Sequence, residues 1–510
     1  MTSDAAAPEL VEGHIAVGDK GLKAGALGYL SNIVIGVAST APAYSLAATL
    51  GFIVAVKGIG VHAPGVLIVA FVPMLFVALG YRYLNKADPD CGTTFAWTTR
   101  AFGPYVGWIN GWAIFVADVI VMASLSVIAA QYTYLLFGWT SAASSTTAII
   151  IAAVIWIVLM TWICYRGIEL SARTQMGLLA AEIVILTAFA IVAIVKVYTG
   201  DPAGSMHISA SWFNPFSISF SALADGVLLG IFIYWGWDSG VAVNEESEAS
   251  AEGPGRSAVI STLLLVLIYV IVSAAAQAYA GTTKLANSSD VLNILGKGVF
   301  GSPWNKLLII AVLTSASAST QTTILPTART TLSMARWGAI PKAFGNIHPR
   351  YLTPTVSTLG MGAISIVWTV LLVALNPAQD VLGDSITALG FSICFYYGFT
   401  GLACAWYYRH DLFKSVRHFV LVGLLPLAGC VLMFAVFGKA FHDYSQTGSG
   451  YSKPLWGIQI PIVIGIGTLL LGVPLMVICA VKYRTFFRRR TEVAPDGLLD
   501  APVERAASHF

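Results

Sequence analysis

The sequence predicts an all-α membrane protein with twelve transmembrane helices. Of its 510 residues, 57% are hydrophobic and only 10% are charged, and the mean hydropathy is +0.78. Soluble proteins, in contrast, carry roughly a quarter charged residues. Apolar segments of about 20 residues, long enough to cross a bilayer as a helix, recur from the N-terminal to the C-terminal part of the chain. The basic residues between them are distributed asymmetrically, as membrane insertion requires.

The apolar segments divide the chain into twelve predicted spans joined by polar connections. The spans are 24–55, 63–84, 104–136, 147–165, 176–198, 218–243, 257–280, 306–335, 354–375, 385–408, 417–440 and 458–483. Residues 1–20 are polar and contain no apolar signal-peptide core, so we interpret them as a tail. Residues 21–486 form the twelve-helix domain, and residues 487–510 form a second tail.

The Lys and Arg residues predict the orientation of the spans. With the N-terminus inside, 21 of the 28 basic residues lie on the cytoplasmic side and 7 lie outside. Basic residues favour the cytoplasmic side of short loops. The sequence therefore predicts a multi-pass protein of the plasma membrane with both termini cytoplasmic.

Two of the spans are interrupted near their middle by residues that favour unwound backbone. The first is broken at Gly36-Val37-Ala38-Ser39-Thr40-Ala41-Pro42, and the sixth at Phe232-Ile233-Tyr234-Trp235-Gly236-Trp237-Asp238. Unwound backbone persists in a membrane only where it lines a cavity or holds a ligand. Breaks in spans one and six predict two inverted repeats of five helices, about 24–198 and 218–408, plus two additional helices at 417–483. The alternative is that each Gly and Pro serves helix packing.

Several classes of protein lack their sequence signatures in this chain. We find no Walker loop, no H-E-x-x-H, no G-x-S-x-G and no dinucleotide fingerprint, so a pump or a membrane enzyme is not indicated. The six cysteines form no CxxC pair, which indicates apolar packing residues and no metal site. The net charge of +3 does not suggest nucleic-acid binding. We therefore expect no enzyme activity, no cofactor and no bound metal, and the sequence leaves the oligomeric state open.

Four separated motifs resemble the amino acid-polyamine-organocation family. They are Pro89-Asp90-Cys91-Gly92-Thr93-Thr94-Phe95-Ala96-Trp97 followed by Gly107-Trp108-Ile109-Asn110-Gly111-Trp112; Gly167-Ile168-Glu169 with Ser171-Ala172-Arg173-Thr174-Gln175; Trp235-Gly236-Trp237-Asp238; and Met334-Ala335-Arg336-Trp337-Gly338-Ala339-Ile340-Pro341 up to Thr353-Pro354. Cys91 departs from the usual glycine of the first motif. The resemblance covers about 24–408, and the last two spans carry no signature.

This resemblance implies a secondary transporter of the leucine-transporter-type fold that moves amino acids by alternating access. By position, backbone N–H groups of Ser39, Thr40 and Ala41 would receive the substrate carboxylate, and carbonyls of Phe232, Ile233 and Tyr234 its ammonium. Gly36 and Gly236 would let the backbone approach the substrate, and Trp235 would cover it. A half-helix N-terminus attracts an anion, which agrees with this arrangement.

Two carboxylates inside predicted spans are candidates for ion coupling. Asp118 lies in the third span and Glu182 in the fifth, where ionisable side chains are costly and often functional. In the family resemblance, Glu182 replaces a lysine associated with proton coupling. A buried carboxyl can hold a proton near neutral pH and release it when water enters, so a proton gradient is the predicted driving force. The alternatives are a sodium site formed with Ser317, Ser319 and Thr320, amino acid exchange, or a neutral carboxyl that only ties helices together.

Other interpretations also stay open. We expect Glu245, Glu246, Glu248 and Glu252 to form a solvated loop, and Arg329, Arg336 and Arg350 to set the topology. The alternative is a gating ion pair between these two groups. A transporter of polyamines or other cationic amines, in which Asp118 pairs with an amine, is the nearest rival function. A transport-deficient nutrient sensor on the same scaffold is a further alternative.

Overall fold

A computed structural model describes residues 20–288, 291–375, 378–446 and 452–488. Within these ranges the chain forms helices and three isolated β-bridges, but no strand. The predicted tails lie outside the described residues, apart from Lys20 and the two residues 487 and 488. The prediction of an all-α membrane protein is confirmed for the described part of the chain.

All twelve predicted spans are present as long apolar helices. They are Tyr29–Ala55, Gly60–Ala87, Pro104–Phe137, Thr146–Tyr165, Ile168–Gly200, Phe220–Ala242, Gly253–Ala286, Lys306–Arg336, Thr355–Leu375, Leu382–Tyr407, Val416–Tyr444 and Ile460–Lys482. Two shorter helices, Thr94–Phe102 and Val291–Phe300, precede the third and the eighth spans. The largest boundary difference is in the fifth span, which begins at Ile168 instead of 176. Hydropathy misses this start because the first turns are polar.

The first span is broken where the sequence predicts it. A first half-helix, Tyr29–Ser39, ends before Thr40, and a second half-helix, Pro42–Ala55, begins after Ala41. Ala41 has a left-handed backbone (φ 47°, ψ 67°), which is unfavourable for a residue with a Cβ atom. Pro42 has no N–H to donate and fits the first position of a helix. The two half-helices are therefore separate hydrogen-bonded units.

The sixth span is broken in a similar way. Its long helix ends at Tyr234, Trp235 is extended, and the helix resumes only at Ser239–Ala242. Gly236 has φ +117°, a conformation open essentially to glycine. A Cβ atom there would lie 2.8 Å from Ser39 Oγ and 2.9 Å from the Ser39 carbonyl oxygen. Glycine is required at this position because of both its conformation and its close contact with the first break.

The breaks lie in the interior of the bundle. The first and third spans are the most buried, with 89% and 94% of their most apolar stretches inside the bundle, whereas the eleventh and twelfth bury only 33% and 22% of theirs. The eleventh and twelfth spans pack mainly against the tenth. The order of the breaks, in spans one and six of twelve, is the order expected for two five-helix repeats followed by two additional helices. We call the side on which the first span begins the N-terminal face.

Candidate functional site

The two breaks are in direct contact. Ser39 Oγ of the first break lies 2.8 Å from Ser239 Oγ of the sixth. The Tyr269 hydroxyl, from the seventh span, donates to the Ile233 carbonyl at 2.7 Å and lies 3.3 Å from the Thr40 carbonyl. Backbone groups released by the unwinding are thus satisfied by side chains. The structure brings together the two segments that the sequence identifies as the candidate substrate site.

The backbone N–H groups of the first break form hydrogen bonds within the first half-helix. The N–H groups of Thr40 and Ala41 donate to the carbonyls of Val37 and Ala38, at 3.2 and 3.1 Å. These bonds satisfy two of the last carbonyls of the first half-helix and tighten its final turn, as is common at helix ends. The proposed role of Ser39, Thr40 and Ala41 as carboxylate receptors stays a prediction.

The first donors of the second half-helix point to side chains. The Ala43 N–H donates to Glu182 Oε1 at 2.7 Å, and the Tyr44 N–H donates to Ser315 Oγ at 3.1 Å. A helix N-terminus carries roughly half a positive charge, so it stabilises a carboxylate placed there. Glu182 therefore occupies the anion-binding end of the second half-helix.

The Glu182 carboxyl is fully enclosed, and only one of its oxygens accepts a backbone hydrogen bond. The residue has 0% relative exposure. Among the described residues, Oε2 has no hydrogen-bond partner. An ionised carboxylate in such a place costs solvation, and a proton on Oε2 would remove that cost. The prediction that Glu182 titrates during transport is compatible with this geometry and is not tested by it.

The hydroxyls of the eighth span contact the first break selectively. Ser319 Oγ donates to the Ser39 carbonyl at 2.8 Å. Ser317 and Thr320 instead donate to carbonyls of their own helix. Ser315, which accepts a hydrogen bond from the Tyr44 N–H, was missed by the sequence analysis. Its position four residues before Ser319, and thus on the same helical face, was the signal that could have identified it.

The aromatic residue predicted to cover the substrate is held by the tenth span. Trp235 is 7% exposed, and its indole N–H donates to the Tyr396 hydroxyl. The Phe232 carbonyl, predicted to receive an ammonium, accepts the Trp235 backbone N–H at 3.1 Å. The Phe232 ring packs edge to face against Tyr44, with ring centroids 6.4 Å apart. The substrate-binding role of Phe232, Ile233, Tyr234 and Trp235 stays a prediction.

Another buried carboxylate, Asp238, is the last residue of the sixth break, and the sequence analysis assigned it no role of its own. Tyr397 donates to its Oδ1 at 2.8 Å, and the hydroxyls of Tyr396 and Tyr81 lie 3.3 and 3.4 Å from Oδ2. Three tyrosines from the second and tenth spans therefore surround one carboxylate. The signal was an acidic residue within a membrane span. These contacts link the sixth break to the rest of the bundle.

Asp118 lies apart from the contacts made by Glu182. It is 2% exposed, and its Oδ2 accepts a hydrogen bond from Thr327 of the eighth span. This bond ties the third span to the eighth, which is the structural alternative considered above. A coupling role for Asp118 stays a prediction.

At the N-terminal face, three buried ion pairs among five residues close the interior. Arg329 donates two hydrogen bonds to Glu246, both at 2.9 Å. The Lys20 ammonium lies 2.8 Å from Asp90 Oδ1 and 2.5 Å from Glu245 Oε1. We call these five residues the N-terminal seal. Each of them is less than 10% exposed.

The seal corrects one expectation from the sequence. Glu245 and Glu246 do not belong to a solvated loop, because they are 5% and 0% exposed. The alternative, an ion pair between the acidic segment and the eighth span, is confirmed for Arg329. Arg336 donates to the Lys20 backbone oxygen at 3.2 Å instead of pairing with the acidic segment. The sequence shows that a residue is charged, but it does not show whether an oppositely charged side chain lies close enough for that residue to be buried.

The Lys20–Asp90 ion pair of the seal keeps its charges over the ordinary pH range. Burial disfavours the Asp90 carboxylate. The Lys20 ammonium and nearby hydrogen-bond donors outweigh the effect of burial, so the pKa of Asp90 is lowered to about 2. Burial also opposes the charge of Lys20, yet the surrounding acidic groups raise its pKa above the usual value. Because the Asp90 pKa is lowered, its contribution is present above the unfolded value of about 3.9 and is lost as the pH falls toward 2. We expect the Lys20–Asp90 ion pair to persist between about pH 5 and 8.

The seal predicts how accessible Cys91 is. Cys91 is 0% exposed, and its Sγ lies 3.7 Å from the Lys20 ammonium. Removing one partner of a buried ion pair is strongly destabilising, by about 3–5 kcal/mol. We therefore expect Lys20→Gln to accelerate labelling of Cys91 by a polar thiol reagent by more than about tenfold. Peptide mapping by mass spectrometry would measure the rate.

The matched control is Lys23→Gln, because Lys23 pairs with Glu169 at a site where both side chains are 45% exposed. Such surface pairs contribute only about 0–1 kcal/mol. Burial raises the pKa of the Cys91 thiol and Lys20 opposes that shift. Loss of Lys20 alone would therefore slow the reaction, so faster labelling reports opening. Equal protection of Cys91 in the two variants would contradict the sealing role of Lys20.

Comparison with known proteins identifies the family. A family model described as amino acid permease matches residues 27–473. The chain belongs to the amino acid permease family. The match confirms the resemblance to the amino acid-polyamine-organocation family and extends it into the last two spans, where we found no signature. The permease is therefore a membrane transporter.

Named relatives of the permease are transporters from bacteria and animals. An uncharacterized transporter of Mycobacterium tuberculosis is 27% identical over 415 residues, which cover 80% of the permease and 85% of the relative. The human Asc-type amino acid transporter 1 is 24% identical over 445 residues, covering 83% and 78%. An arginine/ornithine antiporter of Latilactobacillus sakei is 24% identical over 443 residues, covering 79% and 89%. Each similarity extends over most of both chains.

Proposed function

We propose that this permease moves amino acids across the cytoplasmic membrane by alternating access and couples their movement to protons through Glu182. The observation that carries the proposal is the hydrogen bond from the Ala43 N–H to Glu182 Oε1, at 2.7 Å. It places a titratable group on the same half-helix end that would attract a substrate carboxylate. The family and the relatives support amino acid transport, and the coupling is our inference.

The coupling follows from competition between two anions. The N-terminus of the second half-helix offers roughly half a positive charge. An ionised Glu182 already neutralises it, so a substrate carboxylate nearby would meet repulsion. Once Glu182 is protonated, the half-helix end attracts the substrate without an opposing charge. Substrate and proton would then bind more favourably together than either does alone, which is reciprocal coupling of two ligands.

The orientation of the cycle follows from the charge distribution. We assign the N-terminal face to the cytoplasm, because Lys and Arg residues concentrate there. The N-terminal seal then closes the cytoplasmic side, and it must open to release substrate inward. Both termini are cytoplasmic under this assignment.

The rival substrates and ions have weaker support. A polyamine needs free acidic groups, but Asp118 accepts from Thr327, and Asp238 accepts from Tyr397 at 2.8 Å. A sodium cage needs several converging oxygens, but only Ser319 of the predicted hydroxyl run reaches the first break. Exchange is compatible with the same site, and one relative is named as an antiporter.

The substrate class is tested by counterflow in liposomes that contain the purified permease. We expect free amino acids to compete for uptake and their decarboxylated amines not to compete, because only the amino acids carry the anion that the half-helix end attracts. Arginine beside agmatine and ornithine beside putrescine are suitable matched pairs. Stronger competition by putrescine than by any amino acid would favour the polyamine alternative. Substrate binding without any counterflow would favour a sensor.

A further inference from the structure

A basic cavity lies at the N-terminal face, away from the two breaks. It has a volume of about 330 Å³ and lies where the second, seventh and eleventh spans meet that face. The lining residues are Arg82, Tyr83, Lys86, Glu252, Arg256, Arg417 and His418. The substrate-site and seal residues are not among them. The cavity therefore requires a separate explanation.

The charges around the cavity are unbalanced. Three arginines and one lysine face a single carboxylate, a net charge of +3 if His418 is neutral (4 − 1). Glu252 pairs with Arg256 at 2.5 Å and with Lys86 at 3.3 Å. In the described ranges, no carboxylate oxygen lies within 4 Å of a side-chain nitrogen of Arg82 or Arg417. Two guanidinium groups, which suit planar anions such as phosphate, therefore remain available to an anionic ligand.

The surroundings of the cavity match a lipid better than a free anion. On the seventh span, Leu263 and Leu264 are 45% and 40% exposed, roughly two turns beyond Arg256. On the eleventh span, Phe419 and Leu424 are 39% and 47% exposed, directly beyond Arg417. Apolar side chains exposed on membrane spans face acyl chains. A phosphate group in the cavity would thus sit at the depth of the headgroups, with apolar surface leading into the membrane.

The backbone beside the cavity is irregular. Residues Phe419–Leu424 of the eleventh span form a π-helix, immediately after Arg417 and His418. Segments of π-helix are rare and are frequently found at functional sites. Here the π-helical turn lies between the basic end of the eleventh span and the rest of that span, and it packs against the second span. This is a second observation, independent of the charges.

We propose that this cavity binds the phosphate-bearing headgroup of an anionic phospholipid. Basic pockets between spans on the cytoplasmic side of membrane proteins bind such headgroups. Arg82 and Arg417 supply the phosphate contacts, and the Lys86–Glu252–Arg256 group borders them. A bound lipid would join the eleventh span to the second and seventh spans. The inference does not depend on which substrate or ion the permease moves.

The test uses the full-length protein purified in a mild detergent. Thermal unfolding and native mass spectrometry are recorded with phosphatidylglycerol, phosphatidylcholine, inorganic phosphate or no addition. We expect phosphatidylglycerol to stabilise and remain bound, and the other additions to have little effect. The double variant Arg82→Gln/Arg417→Gln should weaken phosphatidylglycerol binding roughly tenfold or more, because each basic residue contributes to attraction of an anionic headgroup.

The matched control is Arg166→Gln/Arg350→Gln. Both arginines are at the N-terminal face, where each lies over the ring of Tyr351, and neither lines the cavity. This variant should bind phosphatidylglycerol like the unmodified protein. The proposal would be overturned if the cavity variant bound phosphatidylglycerol as well as the unmodified protein does. It would also be overturned if the unmodified protein retained phosphatidylcholine as well as phosphatidylglycerol. Stabilisation by inorganic phosphate as strong as that by the lipid would identify a free-anion site instead and would also overturn it.

Discussion

Replacing Gly236 by alanine is expected to abolish substrate uptake while the protein still inserts and folds. The added Cβ atom would lie 2.8–2.9 Å from Ser39 atoms, including its backbone carbonyl. Backbone atoms of a half-helix cannot move aside as a flexible side chain can. The alanine would also have to adopt φ +117°, and strained backbone of this kind costs about 1–3 kcal/mol. The two breaks would therefore separate, and the site between them would lose its shape.

A matched control distinguishes close contact from backbone strain. Gly338 also has a positive φ, +74°, but a Cβ atom there would meet nothing within 4 Å. Gly338→Ala should therefore have some backbone strain but no steric clash of its Cβ atom. We expect this variant to retain most of the uptake. Radiolabelled uptake into liposomes, normalised to monodisperse protein, is the measurement. Normal uptake by Gly236→Ala would show that the contact between the breaks is not needed for transport.

Glu182→Gln is expected to uncouple transport from the proton gradient. The glutamine carbonyl can still accept the Ala43 N–H, which Glu182 Oε1 accepts at 2.7 Å. Glutamine has no proton to gain or release, so the half-helix end is no longer switched between two charge states. We expect accumulation driven by a pH gradient to fall by at least about tenfold, since coupling energies of 1–3 kcal/mol correspond to roughly 5–150-fold. Counterflow, which needs no driving ion, should persist.

The control for this variant is Glu169→Gln in the same span. Glu169 is a surface residue, and its side chain pairs with Lys23 at 2.7 Å, so its loss should leave coupling intact. Uptake would be measured with a pH gradient alone, a sodium gradient alone and neither. Undiminished proton-driven uptake by Glu182→Gln would remove this residue from the coupling mechanism. Strict dependence of the unmodified protein on sodium would contradict proton coupling itself.

The helices and the breaks could be predicted because each depends on local sequence. Hydropathy located all twelve spans, and glycine and proline located the breaks. The partners of the breaks could not be predicted in this way. Ser315 contacts Tyr44 across 271 residues, and Tyr269 contacts Thr40 across 229. These pairs depend on how distant helices pack, which hydropathy does not report.

The N-terminal seal also depends on contacts between residues that are far apart in the sequence. Four acidic residues beyond a span indicate a solvated loop by composition alone. Two of them are nevertheless buried: Glu245 depends on Lys20, which is 225 residues away, and Glu246 depends on Arg329, which is 83 residues away. Glu182 was identified because it is an ionisable residue inside a predicted span, and the family motif added the comparison with a lysine. A carboxylate is recognisable in a sequence, but its counter-charge is not.

The distance of Lys20 from its partners also has a consequence for biogenesis. Lys20 leaves the ribosome 225 residues before Glu245, which at roughly 5–20 residues per second corresponds to about 10–45 seconds of translation. During this interval the first span is in the membrane without the contacts that close its N-terminal end. The Ser39 carbonyl lacks its hydrogen-bond donor for longer, because Ser319 is synthesised 280 residues later. The broken first span thus depends on the insertion machinery, or on neighbouring spans, to shelter its polar backbone until the eighth span has been made.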